Sequence, residues 1–151
     1  MSTAQDDALL GRSLALSDGD FSLVDGDLAM VGGRQNLSQG LQVIIGTPFG
    51  SDPINVNYGL DIQAIYVTAN SVRSVKDVIR LNIVKSLAID DRVREISNIL
   101  FDDEAGFAAL APEFGGVDPG ATARRSRLWH AVVSLALATG VQQVVVSGAA
   151  P

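Results

Sequence analysis

The chain has 151 residues, 47% of them hydrophobic, a net charge of −6 and no cysteine. That length suits one domain of about 100–150 residues with its own core, and the missing cysteines exclude disulfides, thiolate catalysis and Cys-ligated metals. The negative charge argues against nucleic acid and anionic membrane surfaces as partners, because both recruit through Lys and Arg; no window reaches the roughly 18 consecutive apolar residues of a membrane span.

Residues 1–19 are polar and rich in Ser and Asp, with one short apolar patch at Ala8–Leu10. They are expected to form a loose arm, leaving 20–151 as the single domain. The first residues carry two acids and no early Lys or Arg, unlike a secretory signal, so a cytoplasmic protein is expected. Phe21, Leu23, Leu28 and Met30 then flank Asp25-Gly26. Asp-Gly between short apolar runs predicts a β-hairpin, because both turn residues must adopt positive φ. Strands are expected at 21–24 and 27–31, ended by Gly32-Gly33.

Asn36 is placed to cap a short helix, with Gln39 in the capping-box position three residues on. Leu37, Leu41, Ile44 and Ile45 share one helical face, and Gly46 and Pro48 stop the element. The stretch TPFGSDPINVNYGLDI, 47–62, reads as loop from its Gly, Pro, Asp and Asn. Yet Ile54, Val56, Tyr58, Leu60 and Ile62 recur at every second position, which predicts a braced Ω-like loop pinned to the core or to a partner. A long helix follows over 70–88, capped by Asn70 or Ser71, with Val72, Val75, Val78, Ile79, Ile83 and Leu87 as its apolar stripe.

From Arg92 the period changes to two, predicting a strand to Phe101. The Asp-, Gly- and Pro-rich stretch 102–126 reads as a long excursion. Two further strands, 127–138 and 141–147, are expected around Thr139-Gly140, and Val144-Val145-Val146 suits burial on both faces. These elements define an α+β fold: a small mixed or antiparallel sheet packed by one long helix, with an N-terminal hairpin and short helix. We read no internal repeat. The last strands would leave an edge to which an incoming strand could add.

Catalytic material is sparse. His130 stands alone inside a predicted strand; Ser134 lies four residues along it, about 13 Å away, and no Gly-x-Ser-x-Gly elbow exists. A structural or exposed histidine is expected. Asp18-Gly19-Asp20 and Asp25-Gly26-Asp27 look like calcium loops but lack the remaining ligands, so turn chemistry accounts for both. Gly32-Gly33-Arg34 lies between a strand and a helix, where phosphate loops sit, without the rest of that motif. Glu95, Glu104, Glu113 and Asp90-Asp91 are the carboxylates available for glycoside hydrolysis, but aromatic residues, the usual sugar platforms, make up only 5% of the chain. No metal site and no cofactor is expected. Residues 1–27 carry six acids against Arg12, whereas 121–151 carry Arg124, Arg125 and Arg127 and no acid; such asymmetry suits docking between subunits.

The order DFSLVDGDLAMVGG, NLSQGLQVII, TPFGSDPINVNYG, a helix and DDRVREI resembles the lysozyme-like wedge subunit of contractile-tail baseplates. That family includes gene product twenty-five of myovirus tails and relatives in type VI secretion and extracellular contractile injection systems. The resemblance covers about 20–147. Its most specific part is the loop with Thr47, Pro48, Gly50 and Pro53 followed by Tyr58-Gly59. Where the family has a Glu-Pro-Arg core motif, this chain reads Asp90-Asp91-Arg92; the retained arginine fork would pair with a partner carboxylate. The resemblance implies a structural, non-enzymatic baseplate protein present in about six copies around a central hub or spike. It implies contact with the larger wedge proteins and with the sheath protein, whose assembly the C-terminal strands would start. Arg127, Trp129, Val141 and Val145 are then the candidate sheath contacts. It further implies assembly in the cytoplasm into a tail-like particle that can be released from the cell. A small peptidoglycan hydrolase and a generic adaptor are the alternatives.

Overall fold

The computed structural model describes residues 3–61, 63, 72–112 and 128–149. Helix α1 spans Thr3–Leu10. Six short strands follow: β1 (Arg12–Leu14), β2 (Leu16–Ser17), β3 (Asp20–Phe21), β4 (Leu23–Val24), β5 (Asp27–Leu28) and β6 (Met30–Gly32). Then come α2 (Gly33–Gly46), α3 (Val72–Leu87), β7 (Val93–Phe101), the single turn α4 (Phe107–Leu110), β8 (Leu128–Leu137) and β9 (Gly140–Ala149). The α+β class is as expected, and every pairing of named strands is antiparallel. The predicted caps Asn70 and Ser71, Arg127 and the stretch 113–127 lie outside the described residues.

The main sheet has the order β7-β8-β9. Its inner face, with Ile99, Phe101, Trp129, Ala131, Val133, Leu135, Val144 and Val146, joins one core with Leu37, Leu41, Ile44 and Ile45 of α2 and Ile79, Ile83 and Leu87 of α3. The α3 row repeats every four residues, so all three side chains meet the sheet, and burying each contributes about 1.5–3 kcal/mol. The outer face is covered at one end by Phe107, Leu110 and Ala111 against Val132 and Val145. Apolar side chains on both faces explain why β8 reads as a nearly continuous hydrophobic run. Strand β7 is an edge broken by extra residues at Arg94 and Ser97. Such bulges protect an edge from unwanted pairing.

The N-terminus is not a loose arm. Leu10 is buried in the main core, and β1 pairs with β6 over Arg12–Leu14 and Met30–Gly32. Nor is there one hairpin. Asp18-Gly19 and Asp25-Gly26, all at positive φ, close two hairpins, β2-β3 and β4-β5, as two-residue type I′ turns do. The β1-β6 pair forms a third limb. The three meet in a closed ring of backbone bonds: Ala15 N–H donates to Ala29 O (2.8 Å), Ser22 N–H to Ala15 O (2.9 Å) and Ala29 N–H to Ser22 O (2.8 Å). The ring positions are seven residues apart, and the chain there reads ALSDGDF, SLVDGDL, AMVGGRQ. It is a short internal repeat, contrary to the expectation of none, and shows itself only once the ring is seen.

Candidate interaction surfaces

The loop is braced over 47–61, Ile62 of the predicted alternation lying outside the described residues, and its brace runs to the core. Thr47 Oγ1 donates to Val43 O (2.7 Å) and closes α2. Leu60 N–H donates to Thr47 O (2.8 Å) and Phe49 N–H to Leu60 O (3.0 Å), a parallel bridge between Pro48 and Leu60. Gly59 passes so close that a Cβ would lie 2.4 Å from Thr47 O, and its φ is +105°; only glycine fits. Ser86 of α3 donates to Gly59 O (2.8 Å). At the tip, past Gly50, Asp52 Oδ1 accepts the N–H groups of Ile54 (2.8 Å) and Asn55 (3.1 Å) around Pro53, an Asx turn. The alternating residues divide. Leu60 is buried and Tyr58 packs on the core, whereas Ile54 is 94% exposed, with Val56 and Phe49 also open to solvent.

The motif Asp90-Asp91-Arg92 sits beside that brace. Arg92 Nε donates to Asp90 Oδ1 (2.8 Å) and the guanidinium's other arm to Asp90 Oδ2. Arg92 N–H also donates to Asp90 Oδ1 (3.0 Å). The third guanidinium nitrogen donates to Leu10 O (2.9 Å), the C-terminal end of α1. Burial alone would push the Asp90 carboxyl up; the hydrogen bonds and charge of Arg92 outweigh it and hold the group below the usual carboxylate range. Burial, then the charge of Asp90, raises the Tyr58 phenol above its ordinary value. Asp91 is exposed. The arginine fork expected to pair with a partner carboxylate pairs with Asp90 of its own chain, and Arg92 links the end of α1 to the α3–β7 turn.

Helix α2 starts at Gly33, three residues before the predicted cap. Its N-cap, Gly32, makes no side-chain bond. A Cβ on Gly32 would lie 2.4 Å from Asp7 Oδ1, so the glycine admits an acid of α1 to the positive end of α2. That is what Gly32-Gly33 does in place of cradling phosphate. Asn36 is buried inside the helix; its Nδ2 donates to Leu10 O (2.8 Å) and its Oδ1 accepts from Ser13 Oγ (2.6 Å). Gln39 donates to Leu14 O (2.8 Å) and accepts from Leu16 N–H (2.8 Å). The two residues read as a cap instead hold the hairpin ring.

Along β9, ten residues pair with β8 in unbroken register. The closing pair is Leu137–Gly140, so Val141, Gln143, Val145 and Ser147 turn their backbone groups away from β8. Among the described residues no strand lies on that side, but the edge is covered. Arg34 donates to Val141 O (2.9 Å) and Thr139 O (2.8 Å), and Gln42 to Val145 O (3.3 Å). Between them Gln142 Nε2 donates to Arg34 O (2.9 Å) and Ser38 Oγ (2.7 Å). Positions 34, 38 and 42 form one row: eight residues of helix rise about 12 Å, matching about 13 Å for four residues of strand. Among the described residues the buried oxygens Asp6 Oδ1, Thr139 Oγ1 and Gln142 Oε1 find no hydrogen-bond partner; Asp6 forms an ion pair of 3.5 Å with Arg34 through its other oxygen. Of the candidate sheath contacts, Val141 is 66% exposed and Val145 partly covered. Trp129 is not at the surface: it is buried, edge-on to Phe101 at 6.0 Å.

Among the described carboxylates, Glu104 and Glu95 do not converge, and Glu113 lies outside the described residues. Glu104 accepts two bonds from Arg80 (2.9 and 3.1 Å) and one from Phe101 N–H (2.8 Å). Six residues of strand, about 20 Å, separate Phe101 from Glu95, whereas paired glycosidase carboxyls lie within roughly 10 Å. His130 Nδ1 lies 2.6 Å from Ser147 Oγ on the neighbouring strand, a cross-strand partner that sequence spacing could not disclose. A comparison with models of known protein families finds no match, and a search of curated proteins finds none.

Proposed function

We propose that this chain is a structural baseplate subunit of a contractile, tail-like particle, which joins wedge proteins around a central hub and starts sheath assembly through β8 and β9. The reading rests on the family resemblance over 20–147, and one observation carries its mechanism: β9 is a long regular edge strand with its outer side open to pairing once the α2 row lets go. A sheath strand adds by bonding to the outward N–H and C=O groups of Val141, Gln143 and Val145. It displaces Arg34 and Gln42, each bond contributing about 1 kcal/mol net. It replaces them with a run of main-chain bonds of similar individual strength, and it covers the exposed Val141. The role is structural, with about six copies per particle in a closed ring.

Gln143→Pro tests this. The amide it removes points away from β8, so the hairpin keeps its ladder while the edge loses a donor. Purified wild type is expected to seed polymerisation of purified sheath protein. The variant, with unchanged circular dichroism, is expected not to. Equal seeding by the two would contradict strand addition at β9.

A further inference from the structure

The ring of hairpins has a surface that neither the core nor the β9 edge uses. From 16 to 30 not one residue is buried. The ring positions Ala15, Ser22 and Ala29 are small and half-buried, and their neighbours in the chain are large and apolar. Those neighbours are Leu14, Leu16, Phe21, Leu23, Leu28 and Met30, paired across strands as Leu14–Met30, Leu16–Phe21 and Leu23–Leu28. Leu23 is 67% exposed and Phe21 56%. Three apolar cross-strand pairs, five of whose six residues are exposed, thus surround a ring held by backbone bonds and by Gln39 and Asn36. Exposed apolar clusters rimmed by polar groups mark interaction sites. The two hairpin tips are of one sign, with Asp18, Asp20, Asp25 and Asp27 and no cation; the third limb carries Arg12, which pairs with Asp7 at 3.9 Å.

We propose that this face docks a different protein, through a surface with an apolar centre and a Lys/Arg rim. The occupant follows from charge. Two copies of this chain meeting through the face would bring both sets of tip acids into one interface, with only Arg12 of each copy to offset them, and like charges across an interface suppress association. A basic rim turns the same acids into attraction and fixes register. The rigid ring supplies a platform that needs no ordering on binding, which favours affinity. The site lies apart from β9, so it operates whether or not β9 receives a sheath strand.

The test places the photo-crosslinking residue p-benzoylphenylalanine at Leu23 of the full-length chain, expressed in its own host, and identifies the cross-linked peptide by mass spectrometry. The expected product is a different protein, joined through an apolar peptide flanked by Lys or Arg. Adding Asp25→Lys and Asp27→Lys is expected to lower its yield about ten-fold at unchanged circular dichroism. Cross-linking to a second copy, cross-linking to an acidic peptide, no cross-link, or a yield indifferent to charge reversal would each overturn the proposal.

Discussion

Arg92 shows how one side chain can set the fate of three segments. It donates to Asp90 and to the last carbonyl of α1, and its charge is felt by Tyr58 of the loop. Arg92→Ala is therefore expected to weaken the subunit itself, by about 2 kcal/mol, with α1 loosened; urea denaturation measures it. The pair also fixes an acid dependence. Asp90 titrates below its ordinary 3.8 in the folded chain. Its contribution is complete above that value and is lost as pH falls through the lower folded one. Asp90→Asn should remove that part of the acid-induced loss of stability. An unchanged acid limb in the variant would mean that Asp90 gains nothing from Arg92.

At the scale of elements, α2 serves two surfaces from opposite sides. Its apolar face packs on the sheet, Asn36 and Gln39 hold the hairpin ring, and Arg34, Ser38 and Gln42 track β9. Covering an edge with a helix is a standard guard against promiscuous pairing. The double variant Arg34→Ala, Gln42→Ala is expected to lose about 2 kcal/mol of stability and to seed sheath polymerisation with a shorter lag. A longer lag would mean that the row assists the incoming strand. The apolar periodicity of α2, α3 and β8 was legible in the sequence, because burial on one or both faces leaves a period. The Asp-Gly turns were legible because their chemistry is local. Asn36 was misread as a cap because its partners, Leu10 O and Ser13 Oγ, come from a segment expected to be unstructured. The ring escaped notice because strands of two or three residues carry no usable period. The Asp90–Arg92 pair looked available for the same reason: its third partner, Leu10 O, lies 82 residues away.

For the whole molecule, the two proposed surfaces differ in character. The hairpin face is apolar and acid-rimmed and suits a lasting contact with a separate protein. The β9 edge is held shut by a polar row and suits a partner that arrives later and brings its own strand. The role proposed above, joining a base before a polymer grows from it, would call for that order, with the permanent contact made first and the edge opened afterwards. The four acids of the hairpin tips place charge with the first contact, whereas Asp6 pairs with Arg34 beside β9. The most direct test of this account is to delete the gene in its host and image the particles by electron microscopy. The account predicts baseplates or bare tubes without sheath, restored by the wild-type gene and not by Gln143→Pro. Complete, contractile particles from the deletion strain would contradict it.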